Sequence, residues 1–329
     1  MKGVTRIIID PLYGNSGKGK IAALVAQSQN AALAIEVGTG PSAGHEIWDA
    51  AGRRYLTRMV PPCFIHRTTK LAIAKGVMIE PALLRTELEH LASYEVKHRL
   101  FIDSRCRVVD LQPDSDLVRA ETEIRRKRAN ETLPSVSEVA ELSPFLANVD
   151  DLLSSVLRSG KEVVVVMQHG TCVTRGFGEG ELIEWTCTTE NAFRELPGIE
   201  AHQVLLVVRT MPTRTQSGPL PNEIAWPENV PQLFGMSSGR PMRISSGPDM
   251  DLLHEMAAVN QANEVYLTFA DFLDSRARGV TRWQSLPDKI KKFVSEVERR
   301  LGLVVRYVST GPGINEGVWL PVNEVEVGA

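Results

Sequence analysis

The sequence predicts an α/β fold with a largely parallel central sheet flanked by helices. Two observations carry this reading. Short β-branched runs of strand length recur along the chain, and segments of helical periodicity lie between several of them. Buried strands that alternate with helices pair in parallel. In chain order the strands are expected at Thr5–Ile9, 32–37, Lys70–Ile73, 99–102, 162–167, 204–208, Glu264–Thr268 and Val304–Ser309. The helices are expected at 19–29, 81–94, 149–157, 252–261 and 287–301. In such sheets ligands bind beyond the carboxyl ends of the strands, so the loops that follow strands are where chemistry is sought. Residues 210–248 are rich in Pro, Gly and Ser with little periodicity and read as long functional loops.

Composition narrows the class. The 329 residues are 43% hydrophobic and 23% charged, an ordinary globular balance that excludes a disordered chain. A net charge of −3 provides no basic field for a nucleic-acid polymer, although small anionic ligands need only local sites. The run Ile7-Ile8-Ile9 and the other apolar runs are too short for a signal peptide core or a membrane span. The expectation is a soluble, cytoplasmic protein. Four cysteines, Cys63, Cys106, Cys172 and Cys187, lack CxxC spacing and are expected as free thiols. The charge-dense stretch 114–130 reads as a solvated helix face, with a phosphate-facing or dimer-facing arm as its functional alternative.

Two loops carry the chemistry. After the first strand comes Gly14-Asn15-Ser16-Gly17-Lys18-Gly19-Lys20, and a helix follows. A strand, a Gly/Lys turn and a helix start form a P-loop-like phosphate cradle, because glycines let backbone N–H groups approach an anion and the helix dipole favours it. The strict GxxxxGK[ST] pattern is not met. After the second strand comes Gly40-Pro41-Ser42-Ala43-Gly44-His45, which places a histidine to donate to a developing oxyanion or to shuttle a proton.

These loops, together with later motifs in the same order, resemble adenylosuccinate synthetase. Gly14–Lys20 is similar to the family's GDEGKGK loop, Ser42-Ala43-Gly44-His45 to NAGH, and His169-Gly170-Thr171 to QGT. Ser237-Ser238-Gly239-Arg240-Pro241-Met242-Arg243 resembles the aspartate-binding TTGRRRR loop, Thr268-Phe269-Ala270-Asp271 the base-reading TKLD, and Ser309-Thr310-Gly311-Pro312 the STGP segment. The resemblance spans nearly the whole chain and implies a single domain of that type over residues 1–329. It further implies a magnesium-dependent ligase that phosphorylates the 6-oxygen of a purine nucleotide and lets L-aspartate displace the phosphate, working as a homodimer.

Carried over position by position, the resemblance assigns roles. His45, Asn15 and Ser16 are the catalytic positions; Gly14–Lys20 hold the donor phosphates, with Asn15 and Gly44 beside the metal. Ser42, Ala43, Gly44, His45, Gln168, His169 and Thr186 surround the purine substrate. Ser237, Ser238, Gly239, Arg240 and Arg243 take aspartate, a guanidinium fork matching a carboxylate. Phe269, Asp271, Ser309, Gly311 and Pro312 read the donor base.

The departures from the family pattern are informative. The loop acids of GDEGKGK are replaced by Asn15 and Ser16, neither of which is a useful general base near neutrality. Phe269 stands where TKLD has lysine, so an adenine donor becomes plausible beside GTP. The family's TTGRGIGP loop is not recognisable between Arg125 and Pro144, and the chain is shorter than the usual bacterial form. This combination is similar to the family's phage-type branch, which joins aspartate to dGMP with ATP or dATP to give 2-aminoadenylosuccinate. A neutral side chain can accept a hydrogen bond from guanine's 2-amino group with no charge to desolvate. The alternatives are a short adenylosuccinate synthetase acting on inosinate with GTP, a catalytically silent nucleotide-binding protein, and a generic P-loop kinase.

Overall fold

The structure is a computed structural model and describes residues 2–110, 133–180, 187–199, 202–228, 230–236 and 238–320. The stretch 114–130, Thr186 and Ser237 lie outside the described residues.

Among the described residues, ten strands form one sheet. From one edge their order is Gly317–Trp319, Val304–Ser309, Glu264–Thr268, His202–Arg209, Thr5–Ile9 (β1), Val163–Met167, Leu33–Val37 (β2), Lys70–Ile73, Leu100–Asp103 and Leu146–Ala147. Every neighbouring pair is parallel except the edge pair Val304–Ser309 with Gly317–Trp319. β1 is central, with Ile7 in register with Val165 on one side and Val204 on the other. The chain leaves β1 toward β2 on one side and later returns to fill the other, so the strand order switches direction beside β1. That is where an open parallel sheet binds ligands.

The continuous apolar runs follow from burial on both faces. Val163–Met167 is buried at every residue, and alternate residues feed two cores. Ile7, Ile9, Val163 and Val165 pack with the helices Val149–Arg158, Met250–Val259 and Asp288–Leu301, while Ile8, Val164 and Val166 pack with the helix Lys18–Ser28 (α1). The cysteines are free and buried in these layers, as expected.

Element boundaries depart from expectation where capping decides. The helix expected over 252–261 starts at Met250, because Asp249 caps it by accepting from the Asp251 and Leu252 amides. The helix expected over 81–94 ends at His90, and Ala92–Tyr94 continues as a tighter 3₁₀ turn closed by Glu95 in the left-handed region. Residues 210–248 are not only loops, which corrects the expectation. Thr213–Arg214, Arg243–Ser245 and Glu223–Ile224 form a small antiparallel sheet with Arg243–Ser245 in the middle. Strands of two or three residues are too short for alternation to show in sequence. The hairpin His45–Trp48 (β3) and Arg54–Thr57 (β4) was likewise not anticipated. Its turn is held by Asp49, whose Oδ1 accepts from the Ala51 and Arg53 amides, both at 2.9 Å.

Candidate active site

A cleft of about 460 Å³ opens beyond the carboxyl ends of the central strands. Its floor is the cradle. β1 ends before Asp10, whose Oδ1 accepts from the Leu12 amide at 2.8 Å and starts the turn. Gly14, Asn15 and Gly17 take left-handed backbone conformations (φ 86°, 57° and 80°), which turns the chain sharply into α1. Gly17 precedes the helix and no side chain caps it, so the amides of the first turn are left for an anion.

The two cradle lysines are already engaged. Lys18 Nζ donates to the His169 carbonyl and lies 3.9 Å from Asp10 Oδ2. Lys20 Nζ donates to Ser309 Oγ, the Gly311 carbonyl and the Glu316 carbonyl at 2.8, 2.7 and 2.6 Å. Burial pushes Lys20 down to about 7, against the pull of Glu316 and Asp271. Lys20, expected on the donor phosphates, lines the cleft, and its ammonium joins the start of α1 to the segment 309–316.

The second loop brings His45 to the cradle at the start of β3. Gly19 permits this, because a Cβ there would lie 2.8 Å from the Cβ of His45. His45 Nε2 meets Glu36 Oε1 at 2.9 Å, and both residues are buried. Gln168, expected against the purine, does not line the cleft: its Oε1 accepts from the Thr39 and Gly40 amides at 2.7 and 2.9 Å and holds that loop. His169 does line it, with Nε2 at 3.3 Å from both Thr39 Oγ1 and Ser42 Oγ. Ser42, Ala43 and Gly44 also line the cleft, as do Asn15 and Ser16. Asn15 is exposed, whereas the Ser16 hydroxyl is buried with no hydrogen-bond partner.

Phe269, Asp271, Ser309, Gly311 and Pro312, expected on the donor base, all line the cleft. Phe269 carries a companion that no motif indicated. The Arg209 guanidinium lies 3.6 Å from the centre of its ring, and Nη1 donates to the Asn15 carbonyl at 3.1 Å. Arg209 is buried and its Nε and Nη2 have no hydrogen-bond partner. Burial lowers it to about 9, while Asp271 and Asp10 hold it up. One face of Phe269 is therefore taken, which restricts the stacking surface expected there. Burial pushes Asp271 up, opposed by its own backbone amide and by Arg278 and Lys20.

The wall opposite the cradle comes from residues 215–242. Ser238 lines it together with Thr215, Gln216, Leu233, Phe234, Met236 and Met242, and of these only Ser238 was anticipated. Gly239 and Arg240 stand outside the lining, and the Arg240 amide donates to Ser238 Oγ at 3.3 Å. Arg243, expected on aspartate, is instead bound to Glu223 at 2.8 Å and to the Gly218 and Gln216 carbonyls at 2.7 and 3.2 Å. It holds the small sheet together.

Fold and site define an α/β protein with a strand–turn–helix cradle, a buried histidine beside it and a wall from residues 215–242 lining the same cleft. The family model described as "Adenylosuccinate synthetase" matches residues 7–133. The chain is 29% identical to the adenylosuccinate synthetase of Methanococcus aeolicus over 333 residues, covering 95% of this chain and 98% of that one. The synthetase of Archaeoglobus fulgidus is 29% identical over 330 residues, covering 94% and 96%. Among solved structures, fully ligated adenylosuccinate synthetase from Plasmodium falciparum superposes with a TM-score of 0.81 at 14% identity, covering 97% of this chain and all of that one. Succinoaminodeoxyadenylate synthetase of cyanophage S-2L, bound to dGMP and to dATP as an energy donor, superposes with a TM-score of 0.75 at 19% identity, covering 98% and 96%. The chain is adenylosuccinate synthetase-like in sequence and in fold. The archaeal relatives are matched over nearly their full length, so a short chain does not by itself separate the dGMP branch from adenylosuccinate synthetases. No helix among the described residues is long and apolar enough to cross a membrane.

Proposed function

We propose that the chain is a ligase of this family that activates the 6-oxygen of dGMP with ATP or dATP and joins L-aspartate to C6, giving the 2-amino, 2′-deoxy form of adenylosuccinate. The observation that carries the reading is the cradle itself, which presents Asn15 and the buried, unpartnered Ser16 hydroxyl where the family's loop has acids. A 6-oxo purine is a poor electrophile until its oxygen becomes a phosphate leaving group, so donors must face the transferring phosphoryl. The unclaimed amides of the first turn of α1 supply them. His45 and His169 border the purine side, and the loop at 238–240 closes over aspartate, with Arg240 as its carboxylate fork.

Magnesium fits this donor set only in a phosphate-dependent way. Among the described residues no cluster of three or more His, Cys, Asp or Glu forms a metal cage. Mg²⁺ is commonly held by substrate phosphates with few protein oxygens. The unpartnered Ser16 hydroxyl and the Asn15 and Gly44 backbone are the protein oxygens offered, and the ion would neutralise charge on the transferring phosphoryl. The chain is read as a homodimer on the family resemblance.

The archaeal relatives' names favour a second reading, an adenylosuccinate synthetase acting on inosinate with GTP. Specificity constants for dGMP and inosinate, each at saturating aspartate with ATP and then GTP, separate the two. A higher value with dGMP and ATP is expected. Preference for inosinate with strict GTP dependence refutes the dGMP reading, and no product from either refutes both.

A further inference from the structure

Glu36 sits in the buried strand β2 with 2% of its surface exposed, and its Oε1 lies 2.9 Å from Nε2 of His45. Its second oxygen, Oε2, is buried with no hydrogen-bond partner, and among the described residues its ion-pair partner is His45. A buried carboxylate in a strand otherwise composed of Leu33, Ala34, Ile35 and Val37 costs stability unless a partner compensates it. Nothing in the packing of β2 calls for an acid there. The carboxylate accepts and does not donate, so the proton of the contact resides on Nε2. Nδ1 is then the free nitrogen of the ring, on the edge packed against Gly19, where an added Cβ would lie 3.2 Å from it. Gly19 and His45 both line the cleft.

We propose that Glu36 is a positioning residue that locks the ring and the tautomer of His45, so that His45 meets the purine through Nδ1 as an acceptor. This rests on the ligase reading above. In that reaction the bare Nδ1 accepts a hydrogen bond from the purine edge. Glu36 fixes the ring that carries it and itself exchanges no proton, in the manner of a carboxylate behind a catalytic histidine. The other carboxylates lining the cleft are otherwise occupied: Glu46 is bound to Trp48 and Arg54, and Asp271 lies 3.6 Å from Arg278. The role replaces the one expected for His45 from sequence, donation to the 6-oxygen.

The test begins with the unmodified, unliganded full chain. Nitrogen-15 spectra of histidine-labelled protein, with the His45 signal identified by its loss in His45→Asn, should show Nε2 protonated and Nδ1 bare. A bare Nε2 with a protonated Nδ1 overturns the proposal whether or not any variant folds. Glu36→Gln keeps an acceptor for Nε2–H but removes the charge, so it should retain the tautomer while kcat falls roughly 10²–10⁴-fold. The KM values for dGMP and ATP should stay within about threefold. Glu36→Ala should lose the tautomer preference as well. Turnover by Glu36→Gln within about threefold of wild type, or KM values that worsen in step with kcat, overturns the positioning role. A wild type that forms no succinyl product from any purine nucleotide would instead overturn the ligase reading, and the spectrum would still decide the His45–Glu36 pairing.

Discussion

The two ends of the phosphate cradle hold a buried cation in opposite ways. Where α1 meets the carboxyl-terminal strand, Lys20 spends its ammonium on three protein oxygens. Where the cradle turn meets Phe269, Arg209 spends only Nη1, on the Asn15 carbonyl, and leaves Nε and Nη2 unpaired. The first end is finished by the protein alone. The second carries unspent donors under a nucleotide-sized cleft, which is what a site built for an anion requires. A buried charge with satisfied partners contributes to stability when kept and costs much when broken, whereas an unpaired one costs stability for as long as it stays empty.

The contrast can be broken at either end. Lys20→Met should be the most damaging change, because it removes three short hydrogen bonds at once: Ser309 Oγ loses its donor, and the Gly311 and Glu316 carbonyls keep only the longer bonds from Ser309 Oγ at 3.1 Å and from the Thr310 amide and Tyr307 hydroxyl at 3.2 and 3.3 Å. A loss of about 3 kcal/mol is expected in urea unfolding at unchanged m-value. An unaltered midpoint would show that the tie is decorative. Arg209→Met should behave in the reverse sense, leaving the thermal midpoint equal or higher while the Kd for ATP rises roughly tenfold by calorimetry. Destabilisation without weaker ATP binding would make Arg209 a structural prop like Lys20.

The facing wall sharpens the comparison with a smaller effect. Arg240→Lys keeps the charge and loses the planar fork, so the aspartate KM should rise several-fold with nucleotide KM values unchanged. Arg243→Lys should instead lower stability with little effect on the aspartate KM, since Arg243 bridges Glu223 and two carbonyls. If Arg240→Lys leaves the aspartate KM within about twofold of wild type, the loop does not read the carboxylate through Arg240.

The smallest effect is on acid stability. Burial pushes the Asp49 carboxyl up, but this is outweighed by hydrogen bonds from the Arg53 amide, Tyr94, the Arg53 side chain and the Ala51 amide, which hold it at about 2. Its folded value lies below its ordinary 3.8, so the stability it contributes is present above that value and is lost as pH falls toward 2. Asp49→Asn should flatten the unfolding midpoint's fall over that window. An identical acid limb in the variant would remove Asp49 from the account.

Much of this was legible in the sequence, for reasons that are local. Thr5–Ile9, Lys70–Ile73, Glu264–Thr268 and Val304–Ser309 stand where their β-branched runs put them, because a strand buried on both faces needs an unbroken apolar run. The cradle was legible because left-handed turns demand Gly14 and Gly17. The partners of its charged groups were not. Lys20 and Ser309 are 289 residues apart, and Arg209 reaches Asn15 across 194. Glu36 and Arg209 did leave a faint signal: each is a charge that follows an apolar run near the carboxyl end of its strand, where a ligand crevice makes such a residue worth its burial cost.

The site is also a knot in time. The cradle begins at residue 14, yet Lys20 finds its oxygens only at Ser309, Gly311 and Glu316, and the hairpin that carries His45 is clasped by the Ile314 amide donating to the Trp48 carbonyl at 3.0 Å. A ribosome-bound chain can lay down β1, α1 and β2 early, but it holds an open half-site until Val304–Ser309 and Gly317–Trp319 have emerged. Until then Lys20 waits without its three oxygens beside unpaired sheet edges. The late contact closes the cradle and fastens the hairpin that carries His45 in a single step.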